Sequence, residues 1–124
     1  KVAMRPGKPL MAGRMGGQAM IGLPGNPVSA MVCGEIFVVP LIKKMLGLPA
    51  GPRAYRTAPL AHDLPANGTR EHYMRATLVD GALHVAQRQD SSLLSVLSGA
   101  NALAIAPINA PAMPKGSEMR YISI

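Results

Sequence analysis

One stretch near the N-terminus, residues 21–30 (IGLPGNPVSA), limits the folds open to this chain more than any other. It places two glycines, two prolines and an asparagine inside an otherwise apolar run. Asn26 is a favoured N-cap, and Pro27 suits the first helical position because its missing N–H would have no intrahelical partner. The pattern predicts a short strand at residues 20–23, a constrained turn, and a helix that begins at the asparagine and proline.

The residues that follow this turn predict one long helix over residues 28–46. Its side chains are apolar on nearly every side, so most of its surface needs to be covered. Lys43 and Lys44 lie in the last turns, where they complement the helix dipole, and Gly47 suits the C-cap. Pro40 removes one backbone hydrogen bond and is expected to kink the helix.

Beyond the Gly- and Pro-rich segment at residues 47–52 the pattern changes to short strands. Asp80-Gly81 predicts a type I′ hairpin turn between the second and third of them, and the Ser-rich residues 91–99 predict a short helix or turn. These five strands are predicted at residues 55–64, 70–79, 82–89, 102–108 and 118–124, and a further short strand is predicted to end at the N-terminal residues 1–4. The fold class is therefore α+β: a strand–turn–helix unit of an α/β sheet in residues 1–48, then a small, mainly antiparallel β-barrel in residues 49–124.

Charge is unevenly distributed along the chain, whose net charge is +7. Residues 1–48 carry six Lys or Arg against the single acid Glu35, whereas residues 49–124 carry seven against five. This positive field suits an anionic small ligand, a nucleic acid or an acidic partner surface, and a merely solvated basic face is the plain alternative. An aromatic content of 3% is too low for the base-stacking surfaces of nucleic-acid-binding barrels.

The compartment is indicated by the cysteine content and by the lack of a membrane segment. Cys33 is the only cysteine and cannot form an internal disulfide, which indicates a reducing compartment such as the cytoplasm. Residues 15–34 are uncharged, but they include Gln18, Asn26, two prolines and five glycines, so we reject a transmembrane helix there. Neither a membrane nor a nucleic acid is expected as a partner.

The turn at residues 21–30 also suggests a binding role. A strand-to-helix turn presents free backbone N–H groups, and phosphates and other oxyanions bind there. The spacing is neither the GxGxxG dinucleotide pattern nor a P-loop, so a tight turn that only packs remains the alternative. His62, His72 and His84 show no metal-site spacing and are predicted to be surface or strand-face residues.

Four segments together carry a resemblance to a known family. VAMRPGKP (residues 2–9) followed by GLPGNPVSA (residues 22–30) resembles the C-terminal half of the molybdopterin-binding domain in the MoeA/gephyrin family, the molybdopterin molybdenumtransferases. REHYMRATL (residues 70–78) and DSSLLSVLSGANAL (residues 90–103) are similar to that family's C-terminal domain, a small β-barrel. The resemblance implies that residues 1–48 are the C-terminal part of the molybdopterin-binding α/β domain and that residues 49–124 are the barrel domain.

The resemblance implies an enzyme of molybdenum cofactor biosynthesis. Such enzymes take adenylylated molybdopterin and molybdate and, with a divalent cation such as Mg²⁺, release AMP and molybdenum-loaded molybdopterin. They are homodimers whose cleft combines the pterin-binding domain of one subunit with the C-terminal domain of the other. Their acidic catalytic residues and metal ligands correspond to positions upstream of Lys1, so this chain alone is expected to be inactive. A non-catalytic scaffold of the gephyrin type, or less favourably a basic nucleic-acid-binding barrel, is the alternative.

The resemblance also assigns substrate-, molybdate- and phosphate-binding roles. The residues are Lys1, Arg5, Lys8, Gly25, Asn26, Pro27, Ser29, Arg75 and Ser91.

Several of these residues have a second interpretation. Lys1 and Arg5 would neutralise the bound oxyanions or be exposed strand-end cations, and Lys8 would join them or serve its own turn. Asn26 caps the helix in either case, and Ser29 would reach an oxyanion or cap locally. Arg75 would reach molybdate or face outward from an alternating strand. The alignment that selects Ser91 can slip by one residue.

Overall fold

The computed structural model of the protein describes residues 2–87, 89 and 99–124, and it has a mixed α+β fold, as predicted. No helix in these ranges is long and apolar enough to cross a membrane. The helices are α1 (Pro27–Cys33) and α2 (Val39–Met45), joined by a π-helical turn (Gly34–Val38). The strands are β1 (Met4–Arg5), β2 (Met11–Met15), β3 (Gln18–Gly22), β4 (Arg56–Pro59), β5 (Glu71–Val79), β6 (Ala82–Val85), β7 (Ala102–Ala106) and β8 (Glu118–Ser123).

Strand β5 is the centre of a six-stranded sheet with the order β1-β5-β7-β8-β4, in which β6 also pairs with β5. One edge of β5 pairs with β7, and the other edge is shared by β1 and β6. The β5–β6 hairpin turns at Asp80 and Gly81, both with positive φ, which confirms the turn predicted from the sequence. The pairing in the described ranges does not close into a barrel, because β4 ends at Pro59 and the chain after it meets β6 through a single bridge, between Leu60 and Leu83.

The two faces of this sheet pack against different parts of the chain. The larger cluster of buried residues includes Met74 and Ala76 of β5 together with alanines of β7 and residues of β4, β6 and β8. Tyr73, whose side chain alternates to the opposite face, packs with Met4 and with Val32 of α1. The helix and the N-terminal turn are therefore held against the face of β5 that also carries Arg75.

The N-terminal segment contains a hairpin that the sequence did not predict. Strands β2 and β3 pair antiparallel around Gly16 and Gly17, which both have positive φ. The strand predicted at residues 20–23 lies at Gln18–Gly22, and the strand predicted at residues 1–4 is β1 at Met4–Arg5. A Gly-Gly pair is a hairpin signal, but the flanking residues do not alternate between apolar and polar side chains, and all of β2 is exposed.

The predicted single helix is divided into three parts. It begins at Pro27 as predicted, and its backbone changes to a π turn six residues before Pro40, which lies in the first turn of α2. Gly47, with φ +69°, ends it: its N–H donates to the carbonyl of Lys44 at 3.1 Å, and that of Leu48 to Lys43 at 2.9 Å. Burial is confined to α1, so the predicted cover over most of the helix is not supplied by the described residues.

Candidate functional site

A cavity of about 640 Å³ lies where the N-terminal turn, α1 and β5 meet. Its cationic lining residues are Arg5, Lys8, Arg70 and Arg75, and we call it the basic cavity. Among the described residues, no carboxylate lines it. Because four cations line the cavity and no described carboxylate offsets their charge, the site favours an anionic ligand.

Arg75 is the most constrained of the four cations, because its side chain is only 2% exposed. The sequence left open that Arg75 faces outward from its strand. In the structure α1 covers this face of the sheet, and Ser29 and Val32 of α1 line the same cavity as Arg75. Its backbone N–H donates to Oε1 of Gln89 at 3.0 Å, and its Nε donates to the same oxygen at 3.3 Å. Gln89 thus helps to fix the position of the buried guanidinium at the cavity wall.

Arg5 and Lys8 reach the cavity from the N-terminal turn. Arg5 is exposed at the end of β1, where it is the register partner of His72. The chain then reverses through a cis Arg5–Pro6 peptide and Gly7, whose φ is +119°. The N–H of Leu10 donates to the carbonyl of Gly7 at 2.9 Å, which closes the turn that presents Lys8.

The start of α1 is capped as the sequence predicts. Asn26 Oδ1 accepts from the N–H of Ser29 at 3.1 Å and from its hydroxyl at 3.4 Å. Ser29 is buried and lines the basic cavity, so its hydroxyl caps locally in this structure while lying at the cavity wall. Gly25, Asn26 and Pro27 are not among the lining residues, so they support the site through the helix start.

His72 is a site residue that sequence reasoning missed. It lines the basic cavity beside its strand partner Arg5. Burial, reinforced by the positive charges of Arg5, Arg70 and Arg75, lowers the pKa of His72 to about 4, so its imidazole is neutral at pH 7. Its only signal in the sequence was its place on the same predicted strand as Arg75, three residues earlier.

Glu71 is the neighbour in sequence of Arg70 and His72, which line the basic cavity, but its carboxylate is bound by Tyr73 instead of lining the cavity. Tyr73 is 7% exposed, and its hydroxyl donates to Oε1 of Glu71 at 2.7 Å. Burial, together with this hydrogen bond, raises the pKa of the Tyr73 hydroxyl, so it stays a donor at neutral pH. The carboxylate of Glu71 is engaged there and does not line the basic cavity.

Two predicted site residues, Lys1 and Ser91, lie outside the described residues, as does Ser92. The described residues contain no group of three or more His, Cys, Asp or Glu side chains that could hold a metal ion. The side chains in the described ranges therefore do not fit a divalent-cation site, and we derive no step through one. That the metal ligands lie in other parts of a longer protein stays a prediction.

The residues that line the basic cavity come from both predicted parts of the chain. Arg5, Lys8 and Ser29 belong to residues 1–48, whereas Arg70 and Arg75 belong to residues 49–124. The resemblance implied that such a cleft would combine two different subunits. In this structure the lining residues from 1–48 and those from 49–124 face the same cavity within one chain.

Comparisons with known proteins identify relatives of this chain. Residues 57–124 match the family described as MoeA C-terminal region (domain IV). A Molybdopterin molybdenumtransferase 2 of Mycobacterium tuberculosis is 42% identical over 78 residues, covering 63% of this chain and 19% of that protein. A Molybdopterin molybdenumtransferase of Nostoc sp. is 35% identical over 132 residues, covering 99% of this chain and 30% of that protein.

Solved structures give the same result for the fold. The crystal structure of a molybdopterin biosynthesis moeA protein from Pyrococcus horikoshii superposes with a TM-score of 0.81 at 25% identity. The match covers 98% of this chain and 30% of that one. This chain thus spans less than a third of the length of each of these three relatives.

Proposed function

The chain belongs to the MoeA family, whose C-terminal region its residues 57–124 match, and from this premise we propose that it acts as the C-terminal part of a molybdopterin molybdenumtransferase. The whole protein would take adenylylated molybdopterin and molybdate and release AMP and molybdenum-loaded molybdopterin. The pterin phosphate, the nucleotide phosphate and molybdate are all anions. A site for them requires convergent, positioned cations.

One observation carries this proposal: Arg75 is buried in the wall of a cavity whose rim carries Arg5 and Lys8. The N–H and Nε of Arg75 both donate to Oε1 of Gln89, so the guanidinium is already in position at the cavity wall when an anion arrives. The cost of ordering its side chain is met on folding, before the ligand binds. An arginine with no binding role on this strand would be expected to face solvent.

The roles of the site residues follow from their places in the cavity. Arg75 would hold the oxyanion from the sheet side, while Arg5 and Lys8 would neutralise it from the mouth. Ser29 would donate its hydroxyl once an anion competes with Asn26 for it. Lys1 and Ser91 keep the binding roles that the family resemblance gives them, and Gly25, Asn26 and Pro27 would frame the ligand by fixing the start of α1.

The remaining properties of the whole protein are part of the same proposal. We expect a cytoplasmic homodimer in which residues 1–48 complete a molybdopterin-binding α/β domain and residues 49–124 act as the C-terminal domain. The Mg²⁺ ligands and the acidic catalytic residues would be supplied by segments that correspond to the rest of the longer relatives. This chain would then be inactive alone.

The test is calorimetric titration of adenylylated molybdopterin, with and without molybdate, into the full-length protein that carries this sequence. Arg75→Ala and Arg5→Ala should each weaken binding at least about tenfold, a loss typical of one charge-assisted contact. Arg14→Ala is the matched control, because it removes the same charge from the exposed hairpin strand β2. Equal affinity in all four proteins would reject the basic cavity as the site, and no binding at all would favour a scaffold role.

A further inference from the structure

A smaller cavity, of about 280 Å³, lies between α2, the segment 49–54 that follows it, the start of β4 and the end of β8. We call it the junction cavity, because residues from both predicted parts of the chain, 1–48 and 49–124, line it. It shares no lining residue with the basic cavity. A ligand bound in the junction cavity would therefore occupy a separate site.

The charge around the junction cavity is positive. Lys43 in the last turn of α2, Arg53, and Arg56 at the start of β4 all line it, and none of its lining residues is an acid. Within the described ranges, neither Lys43 nor Arg56 forms an ion pair. Like charges around one small space repel one another, and an anion placed between them relieves that repulsion. The cavity therefore favours a negatively charged ligand.

Arg53 is the cation whose position is fixed by its contacts. Its Nη2 donates to the carbonyl oxygen of Ser123 at 2.7 Å and lies 3.3 Å from Oε2 of Glu35. These contacts hold the guanidinium between the end of β8 and the π-helical turn. Both are made by the same terminal nitrogen, so the described residues leave the other N–H donors of the guanidinium for a ligand.

The walls of the junction cavity restrict the size of that ligand. Pro40 in the first turn of α2 and Pro49 and Pro52 in the following segment line the cavity. Each proline fixes its own φ angle, so this part of the wall loses little conformational entropy when a ligand binds. Sites for drug-sized molecules begin at roughly 300 Å³, so a cavity of about 280 Å³ suits a ligand of only a few heavy atoms.

We propose that the junction cavity binds a small, free tetrahedral oxyanion of the phosphate or sulfate class, held by Lys43, Arg53 and Arg56. Such an anion accepts hydrogen bonds in several directions, and charge-assisted bonds from arginine and lysine are the strong ones. The anion would join α2 to the start of β4. It would thus brace the two parts of the chain whose cations also form the basic cavity, and this role does not depend on the proposed function.

The experiment titrates the full-length protein with sodium phosphate and with sodium sulfate and follows methyl NMR signals. Sodium chloride at the same ionic strength is the control for general screening. Val39 and Ile122 line the junction cavity and not the basic cavity, whereas Val28 and Val32 line the basic cavity and not the junction cavity. We expect both oxyanions to shift the signals of Val39 and Ile122, and chloride to leave them in place.

Paired variants test which cations hold the anion. Lys43→Gln combined with Arg56→Gln should weaken the affinity read at the junction-cavity methyl signals at least about tenfold, while the affinity read at the basic cavity stays within twofold. Lys44→Gln combined with Arg120→Gln is the matched control. It removes the same two charges from exposed positions of α2 and β8 that do not line the junction cavity, and it should leave both affinities within twofold.

The outcomes separate this proposal from the proposed function. Signals of Val39 and Ile122 that neither oxyanion shifts, or that chloride shifts equally, overturn the junction cavity as an anion site. Equal weakening in the two double variants also overturns it, because the effect would then be one of overall charge. A response of Val39 and Ile122 without any response of Val28 and Val32 would reject the basic cavity and support the junction cavity.

Discussion

The side-chain amide of Gln89 pairs with the main chain of Arg75 as a neighbouring strand would. Oε1 accepts from the N–H of Arg75 and Nε2 donates to its carbonyl, each at 3.0 Å. Gln89 lies at the edge of β5 that β1 and β6 share, where the pairing with β1 ends at His72 and the pairing with β6 begins at Ala76. Gln89 fills part of the interval between them, so the residue that presents the buried guanidinium is held by this side chain together with the N–H of Ala86, which donates to the Arg75 carbonyl at 2.9 Å.

Replacing Gln89 by alanine should therefore loosen Arg75. We expect Gln89→Ala to lower the free energy of unfolding by about 1–3 kcal/mol, because the N–H of Arg75 and the carbonyl of Ala86 lose their hydrogen bonds to the Gln89 side chain. It should also weaken phosphate binding several-fold, because the guanidinium loses its hydrogen bond to Oε1. Urea denaturation and calorimetric titration measure the two effects.

Asn101 supplies a matched control for Gln89. On the opposite edge of β5, its Oδ1 accepts from the N–H of Leu78 at 2.7 Å and its Nδ2 donates to the carbonyl at 3.3 Å. Asn101→Ala should cost stability without changing phosphate affinity, since Asn101 does not line the basic cavity. If both variants weaken binding equally, Gln89 acts only through general stability.

His72 should make the stability of the protein depend on pH in a defined window. Its pKa is lowered from 6.5 to about 4 in the folded state, so the unfolded chain binds more protons between these values. The contribution of neutral His72 is complete above pH 6.5, falls as the pH is lowered towards 4, and changes no further below that. Thermal unfolding of His72→Gln between pH 4 and 7 should show a shallower decline than the wild type.

The same histidine should report an anion in the basic cavity. A bound phosphate offsets the charges of Arg5, Arg70 and Arg75, so the pKa of His72 should rise by at least about 1 unit. NMR titration of the imidazole signals with and without phosphate measures this shift, and His84, which is exposed and does not line the cavity, is the internal control. A pKa of His72 that phosphate leaves unchanged would place the anion elsewhere.

Gly7 should tolerate no side chain. A Cβ built there would lie 2.8 Å from Sγ of Cys33 and 3.2 Å from Cε and Sδ of Met4, and φ is +119°. Gly7→Ala should destabilise the protein by about 1–3 kcal/mol through strain and overpacking. Gly13→Ala, which meets nothing within 4 Å, is the control and should be nearly neutral by urea denaturation. Adding Cys33→Ala should recover part of the loss; an unchanged midpoint in Gly7→Ala would show that the turn relaxes freely.

Asn67 should be more sensitive to charge than to truncation. Its amide donates to the carbonyls of Arg70, Ala106 and Pro107, so the carboxylate introduced by Asn67→Asp would face three acceptors. At pH 7 we expect Asn67→Asp to be less stable than Asn67→Ala, with the difference shrinking near pH 4 as the carboxyl protonates. Equal unfolding midpoints at both pH values would contradict this account of the loop.

Local chemistry made part of the fold predictable from sequence. Asn26 and Pro27 identify the start of α1, and Asp80-Gly81 identifies a hairpin turn, because a side-chain cap and positive φ angles depend only on neighbouring residues. The π turn at Gly34–Val38 had no such signal. A run of apolar residues does not distinguish the hydrogen-bond spacing of a π-helix from that of an α-helix.

The site was only partly predictable, since it depends on contacts between distant segments. Arg5 and Arg75 were selected as anion-binding residues, and the structure brings them to one cavity, although their binding roles stay predictions. His72 and Gln89 were not selected, because their importance arises from register and from a side chain that replaces a strand. Strand registry over such a separation leaves no periodic trace in the sequence.

The parallel pairing of Met4 and Arg5 with Glu71 and His72 has a consequence for dividing this protein. Cutting at the Gly- and Pro-rich segment 47–52 would not release two self-contained modules, because residues 49–124 would lose a donor strand and expose an unpaired edge of β5 to other chains. We expect the two pieces to act as a complementation pair. Mixing them would restore the edge and, in the same event, reassemble the cations of the cavity.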